Sequence, residues 1–253
     1  MLLIDLNADV GESFGAHQIG CDQGLMKAIT SANIAAGFHG GDPSVLRDTV
    51  RLAKEHGVAV GAHPGFADLA GFGRREMRLT AREAEDLVLY QIAAVAGVAA
   101  AEGVRLRHVK PHGALYNMAA RDSVLASAIA RAAAAVDPSL ILYGLPNSEL
   151  LKAARTAGLR TAAEGFADRA YEPDGALMSR RKPGALLLDP EIVVARALRL
   201  VREHAVAASD GTPLTLHIDT LCVHGDTPGA DELAARLRRG LEAAGITVQA
   251  IGD

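Results

Sequence analysis

Apolar runs of strand length alternate with helix-length patterns from one end of the chain to the other, and this alternation constrains the fold most. Strands are expected at 2–8, 31–36, 57–62, 105–110, 139–143, 159–164 and 213–219, with a late one at 246–251. Helical patterns occupy 22–29, 43–56, 80–102, 121–136, 147–157, 189–207 and 229–244. Four helix-to-strand joins repeat one phrase: Glu55-His56-Gly57-Val58, Ala101-Glu102-Gly103-Val104, Thr156-Ala157-Gly158-Leu159 and Ala243-Ala244-Gly245-Ile246. Glycine is favoured there because it takes the left-handed conformation that ends a helix. At the helix starts, Thr80 and Glu83 have capping-box spacing, and Asp42-Pro43 and Asp189-Pro190 set an acceptor before a first-turn proline. Strands buried on both faces read as continuous apolar runs. Regular βα alternation builds a parallel barrel or an open doubly wound sheet, and the pattern alone does not separate the two.

The length, 253 residues, suits a single barrel-sized domain over 1–253. With no Trp, 4% aromatic residues and a net charge of -4, the chain lacks stacking faces and the basic surface of a nucleic-acid binder. The Ala-rich run at 93–101 is shorter than the roughly 20 apolar residues a bilayer span requires. A basic, apolar leader pattern is not visible at the N-terminus, so a soluble cytoplasmic protein with no membrane partner is expected. Cys21 and Cys222 have no metal-motif spacing and are expected to be reduced.

Five stretches crowd histidine, acid and glycine onto the ends of apolar runs: LNADVGE (6–12), IAAGFHGGDP (34–43), VGAHPGF (60–66), VKPHGALYN (109–117) and LCVHGDTPGA (221–230). Loops following the strands build the active site of a βα barrel, so Asp9, His39, His63, Lys110 and His224 can converge in one pocket. Acids at the end of an apolar strand are expensive to bury without a cation, donor or substrate. Asp9, with Asn7 and Glu12 nearby, therefore reads as a metal ligand, a general base or a helix-capping turn acid. Asp9, His39 and His63 form a workable ligand set for a divalent metal; the same trio can bind substrate without one. Lys110 can neutralise phosphate or carboxylate, and His112 can transfer a proton. Glu164, Asp168 and Arg169 follow the sixth strand; His224 and Asp226 follow a later one, where Asp226 also suits a helix cap. Two long loops, 63–79 and 165–188, read as lids or binding loops. Walker-type, dinucleotide-binding and nucleophile-elbow motifs are absent from the sequence.

Taken together, LNADVGESFG (6–15), SANIAAGFHGGDP (31–43), GAHPGFADLAGFGRR (61–75), VKPHGALYN (109–117), EGFADRAY (164–171), GALMSRR (175–181) and CVHGD (222–226) resemble the LamB/YcsF family along nearly the whole chain. The resemblance implies an α/β fold, a distorted (β/α) barrel of about seven strands similar to glycoside hydrolase and deacetylase barrels. It implies ATP-dependent opening of 5-oxo-L-proline to L-glutamate, with ATP as co-substrate and two further subunits, B and C, as partners. On that chemistry, Asp9 or Glu12 would activate water, and His39 and His63 would hold a divalent metal or the developing negative charge. Lys110 and Arg74 would pair with phosphate or the substrate carboxylate, and His112 or Asp226 would protonate the departing nitrogen. Asn7, Tyr116, Glu164, Arg169 and His224 would line the substrate. The competing readings are a metal-dependent carbohydrate deacetylase and a non-catalytic subunit that binds a ligand, and self-association is left open.

Overall fold

The computed structural model describes residues 2–180, 182–225 and 229–252. Seven parallel strands close on themselves: β1 (Leu2–Val10), β2 (Ser31–Ala35), β3 (Ala59–His63), β4 (Leu106–Val109), β5 (Ile141–Gly144), β6 (Arg160–Phe166) and β9 (Thr220–Val223), with β9 pairing back to β1. β1 is long enough to serve three neighbours. Leu2–Ile4 pair with β10 (Ile246–Val248) outside the ring, Asp5–Ala8 with β9, and Asn7–Val10 with β2. The helices that follow the barrel strands are α1 (Asp22–Leu25), α2 (Pro43–His56), α3 (Ala81–Ala101), α4 (Gly113–Ala119), α5 (Ser123–Val136), α6 (Glu149–Thr156), α7 (Pro190–Glu203) and α8 (Ala230–Ala243). The expected barrel of about seven strands is thus the observed one.

Local chemistry fixes the element ends. The Thr80 hydroxyl accepts from Glu83 N at 3.2 Å, while the Glu83 carboxylate accepts from Thr80 N at 2.8 Å; N-caps of this kind contribute about 1 kcal/mol each. Asp42 and Asp189 cap α2 and α7 as expected. The four repeated glycines all take positive φ. α3 is 21 residues long and apolar enough to cross a bilayer by length and composition, longer than the 93–101 run suggested. It packs on β3 and α5, and its Gln91 side chain exchanges two 2.9 Å hydrogen bonds with the backbone of Gly65.

Three segments differ from expectation. The seventh barrel strand is β9, not 213–219; Pro213–Thr215 instead form β8 of a small antiparallel hairpin with β7 (Ala205–Ala207). Alternation in 213–219 suits a half-exposed ribbon, whereas Thr-Leu-Cys-Val is buried at every position. α7 stops at Glu203, where His204 turns left-handed at φ 53° and starts that hairpin. α4, which follows Lys-Pro-His-Gly, was not anticipated.

The apolar core lies mainly between barrel and helices, where Ile4, Leu6, Ala8 and Val10 of β1 join Val50, Val88, Ile92 and Leu237. Successive strand residues point to opposite faces, so Asp5, Asn7 and Asp9 share the other side of β1. Polar residues of neighbouring strands meet them. Asp5 accepts from Thr30 (2.6 Å), Ser31 (2.7 Å), Tyr143 (3.2 Å) and Thr220 (2.5 Å). Asn7 donates to Thr220 at 2.7 Å and accepts from Asn33 at 2.8 Å. His108 Nε2 meets Asn33 Oδ1 at 2.8 Å. This ring of hydrogen-bonded polar groups, in which only His108 Nδ1 has no partner among the described residues, fills the barrel and supports the residues above it.

Candidate active site

Asp9, the last inward residue of β1, reaches the mouth. Its Oδ1 accepts from Lys110 Nζ at 2.8 Å and Asn33 Nδ2 at 2.9 Å, and its Oδ2 lies 3.4 Å from His63 Nε2. Burial pushes the Asp9 carboxyl up, but His63 and the Lys110 ammonium outweigh it and hold it well below the usual carboxylate range. Lys110 also contacts Glu164 Oε1 at 2.9 Å and Cys222 Sγ at 3.0 Å. Burial opposes its charge, yet Asp9, Cys222 and Glu164 together keep the ammonium well above its ordinary value. Cys222 is a free thiol pushed well up by burial, so it faces Lys110 protonated. The other cysteine, Cys21, is free and exposed.

A histidine cluster stands beside this carboxylate. His39 follows β2, His63 ends β3 and His112 opens α4, and all three are buried with Glu12. His63 Nδ1 lies 2.7 Å from the Lys110 carbonyl and His112 Nε2 2.8 Å from the Phe72 carbonyl. The remaining nitrogens, His63 Nε2 and His112 Nδ1, face each other at 3.0 Å. Glu12 Oε1 is 3.4 Å from both His112 Nδ1 and His39 Nε2. Burial first, then the adjoining histidines, hold His39 and His112 well below the usual imidazole range. One ligand atom from each of Glu12, His39, His63 and His112 lies within 4.8 Å of the others, so the group can hold a metal ion. The metal set expected from sequence is therefore regrouped: Glu12 and His112 join His39 and His63. Asp9 groups instead with Cys222 and His224.

His224, after β9, has Nδ1 2.8 Å from Asp168 Oδ2 and its ring stacked 5.4 Å from that of Phe166. Asp168 is lifted by burial and lowered more by His224, for a net fall. Arg169 follows on the same loop, its Nη2 donating to the Met178 carbonyl at 2.6 Å; burial and then Arg180 bring it down to about 10. Arg74 is exposed at the rim, with its guanidinium 4.9 Å from the centre of the Phe72 ring.

Most residues singled out in the sequence come together here, at different depths. Asn7, Glu164 and Tyr116 are buried below the mouth. Burial and Glu164 push the Tyr116 phenol well up. Lys110, expected to meet an anion, is committed inward to two carboxyl groups. His112, expected as a proton donor, has both nitrogens turned to protein partners. Asp226 lies outside the described residues. Sequence reasoning missed Asn33, His108 and Cys222, which brace Asp9 and Lys110. Their signal was a spacing of two from polar neighbours: 31/33, 108/110 and 222/224.

Known proteins match this arrangement end to end. The LamB/YcsF family profile covers residues 4–253. The 5-oxoprolinase A subunit of Chloroflexus aggregans is 59% identical over 249 residues, 98% of this chain and 99% of that one. The Bacillus subtilis protein of the same name is 54% identical over 253 residues, covering 100% and 98%. The crystal structure of a lactam utilization protein from Thermus thermophilus superposes with a TM-score of 0.93 at 51% identity, covering 99% of this chain and 100% of that one. The chain belongs to the LamB/YcsF family.

Proposed function

We propose that this LamB/YcsF chain is the A subunit of an ATP-dependent 5-oxoprolinase. It would open 5-oxo-L-proline to L-glutamate together with subunits B and C. The observation that carries the reading is the buried Asp9–Lys110 pair, with a histidine cluster beside it, at the strand ends of a chain whose full-length relatives bear that name.

A lactam carbonyl is a poor electrophile because of amide resonance. Transfer of the γ-phosphoryl group of ATP to its oxygen releases ADP and activates the ring carbon. Water then adds to that carbon and gives up a proton. The C–N bond breaks, the nitrogen takes a proton, and the acyl phosphate left behind is hydrolysed by a second water to glutamate and phosphate. In this reading Asp9, kept ionised by Lys110 and aimed by Asn33, accepts the proton of the attacking water. Glu12 stands close enough to share that task. His224, held at Nδ1 by Asp168, would protonate the leaving nitrogen through Nε2, whereas both nitrogens of His112 face protein partners. The exposed Arg74 and the buried Arg169 supply cations for the substrate carboxylate or a phosphate. Glu164 and Tyr116 shape the floor. A divalent cation in the histidine cluster would polarise the carbonyl oxygen or stabilise negative charge on it.

The test is omission. Glutamate and ADP are measured from 5-oxoproline and ATP with subunits B and C, with and without this chain. Coupled release that needs the chain supports the reading. Equal release without it, or hydrolysis of N-acetyl sugars by the chain alone, refutes it.

A further inference from the structure

Each carbonyl oxygen beside the His63–His112 pair can only accept a hydrogen bond. His63 Nδ1, 2.7 Å from the Lys110 oxygen, therefore carries a proton, and so does His112 Nε2, 2.8 Å from the Phe72 oxygen. In neutral imidazoles the other two nitrogens, His63 Nε2 and His112 Nδ1, then hold lone pairs. These face each other at 3.0 Å. Two acceptors at that distance repel, so the pair needs a cation between them.

A shared proton would join only those two nitrogens. The cluster offers more: Glu12 Oε1 lies 3.4 Å from His112 Nδ1, and neither ring nitrogen of the buried His39 makes a hydrogen bond among the described residues. Donor atoms at about 2.0–2.1 Å from a tetrahedral ion are separated from one another by roughly 3.3 Å, close to the 3.0 and 3.4 Å edges seen here. The rings of His63 and His112 are perpendicular, with centres 4.9 Å apart, so both can turn a nitrogen to one point. Their outer nitrogens rest on backbone carbonyls, the outer-shell arrangement typical of metal-ligating histidines. His39 lies flat on His112 at 3.8 Å and 6°, so it flanks the point rather than aiming at it alongside His112.

We propose that His63 Nε2, His112 Nδ1 and the Glu12 carboxylate bind one divalent ion of the zinc class, leaving one coordination position open beside Asp9. Two nitrogens and one carboxylate select zinc, cobalt or nickel over magnesium or calcium, which prefer all-oxygen sites. Asp9 Oδ2, 3.4 Å from His63 Nε2, is placed to hold a water or substrate oxygen at the open position. Only the catalytic use of the ion rests on the 5-oxoprolinase reading; the binding does not.

The full chain, stripped with a chelator, is titrated with Co2+ and with Zn2+ by calorimetry, and Co2+ is also followed by its visible spectrum. One equivalent is expected to bind, undisturbed by excess Mg2+. His63→Gln, His112→Gln and Glu12→Gln are each expected to weaken binding about 100-fold or more, with circular dichroism confirming the fold of every variant used. If a histidine variant does not fold, Glu12→Gln decides. No stoichiometric uptake by the folded chain, or unchanged affinity in Glu12→Gln, overturns the proposal. Binding without 5-oxoproline turnover in the complete complex would sink the functional reading and leave the metal site standing; turnover with no uptake would do the reverse.

Discussion

Lys110 Nζ sits 2.8 Å from Asp9 Oδ1, and both side chains are buried at the mouth of the barrel. One cation thereby neutralises a carboxylate from the first strand while reaching Glu164 on the sixth. Replacing Lys110 by Met would leave two buried acids without their counter-ion. Breaking such a pair from one side costs about 3–5 kcal/mol. Denaturant unfolding of Lys110→Met is expected to show a loss of that order together with inactivity. A loss below about 1 kcal/mol would mean that the acids find other partners.

Gly61 makes room for the layer beneath. A Cβ built there would lie 2.0 Å from His108 Nε2, the atom that meets Asn33. Gly61→Ala must displace the imidazole, and overpacking of this kind costs about 1–3 kcal/mol. The expected result is a lower melting temperature together with reduced turnover, because Asn33 also holds Asp9. An unchanged melting temperature would show that His108 can move aside freely.

The loop over the histidines depends on Asp68. Its carboxylate accepts from Gly71 N at 2.9 Å and pairs with Arg75, whose guanidinium brings the Asp68 pKa down to about 2. A depressed acid stabilises the fold above its unfolded value, near 3.8, and that contribution disappears as pH falls through the folded value. Limited proteolysis at 63–79 is therefore expected to stay slow down to about pH 4 and to accelerate toward pH 2. Asp68→Asn is expected to be cut quickly even at neutral pH. Equal cutting of variant and wild type at pH 7 would remove the ion pair from loop order.

Much of this architecture was legible because its signals are local. Six of the seven barrel strands follow apolar runs, and the capping residues of α2, α3 and α7 lie where their spacing put them. The seventh strand was displaced because Pro-Leu-Thr-Leu-His-Ile-Asp alternates over seven residues, outweighing the four of Thr-Leu-Cys-Val. α4 was hidden by Lys-Pro-His-Gly, whose proline and glycine read as loop. Within the site, residues at strand ends were found because barrels collect them at one mouth. Their depth was not: Asn7 and Glu164 are chemically suited to a substrate, and only tertiary contact with Thr220, Asn33 and Lys110 shows that they are occupied.

Asp9→Asn gives the most direct measure of the catalytic account. The amide keeps the shape and the place beside Lys110 but can neither accept the proton of water nor balance the ammonium. With subunits B and C present, glutamate release from 5-oxoproline and ATP is expected to fall by about 10²–10⁴-fold, with unchanged circular dichroism and intact assembly of the complex. Turnover within a few-fold of the wild type would take Asp9 out of the mechanism.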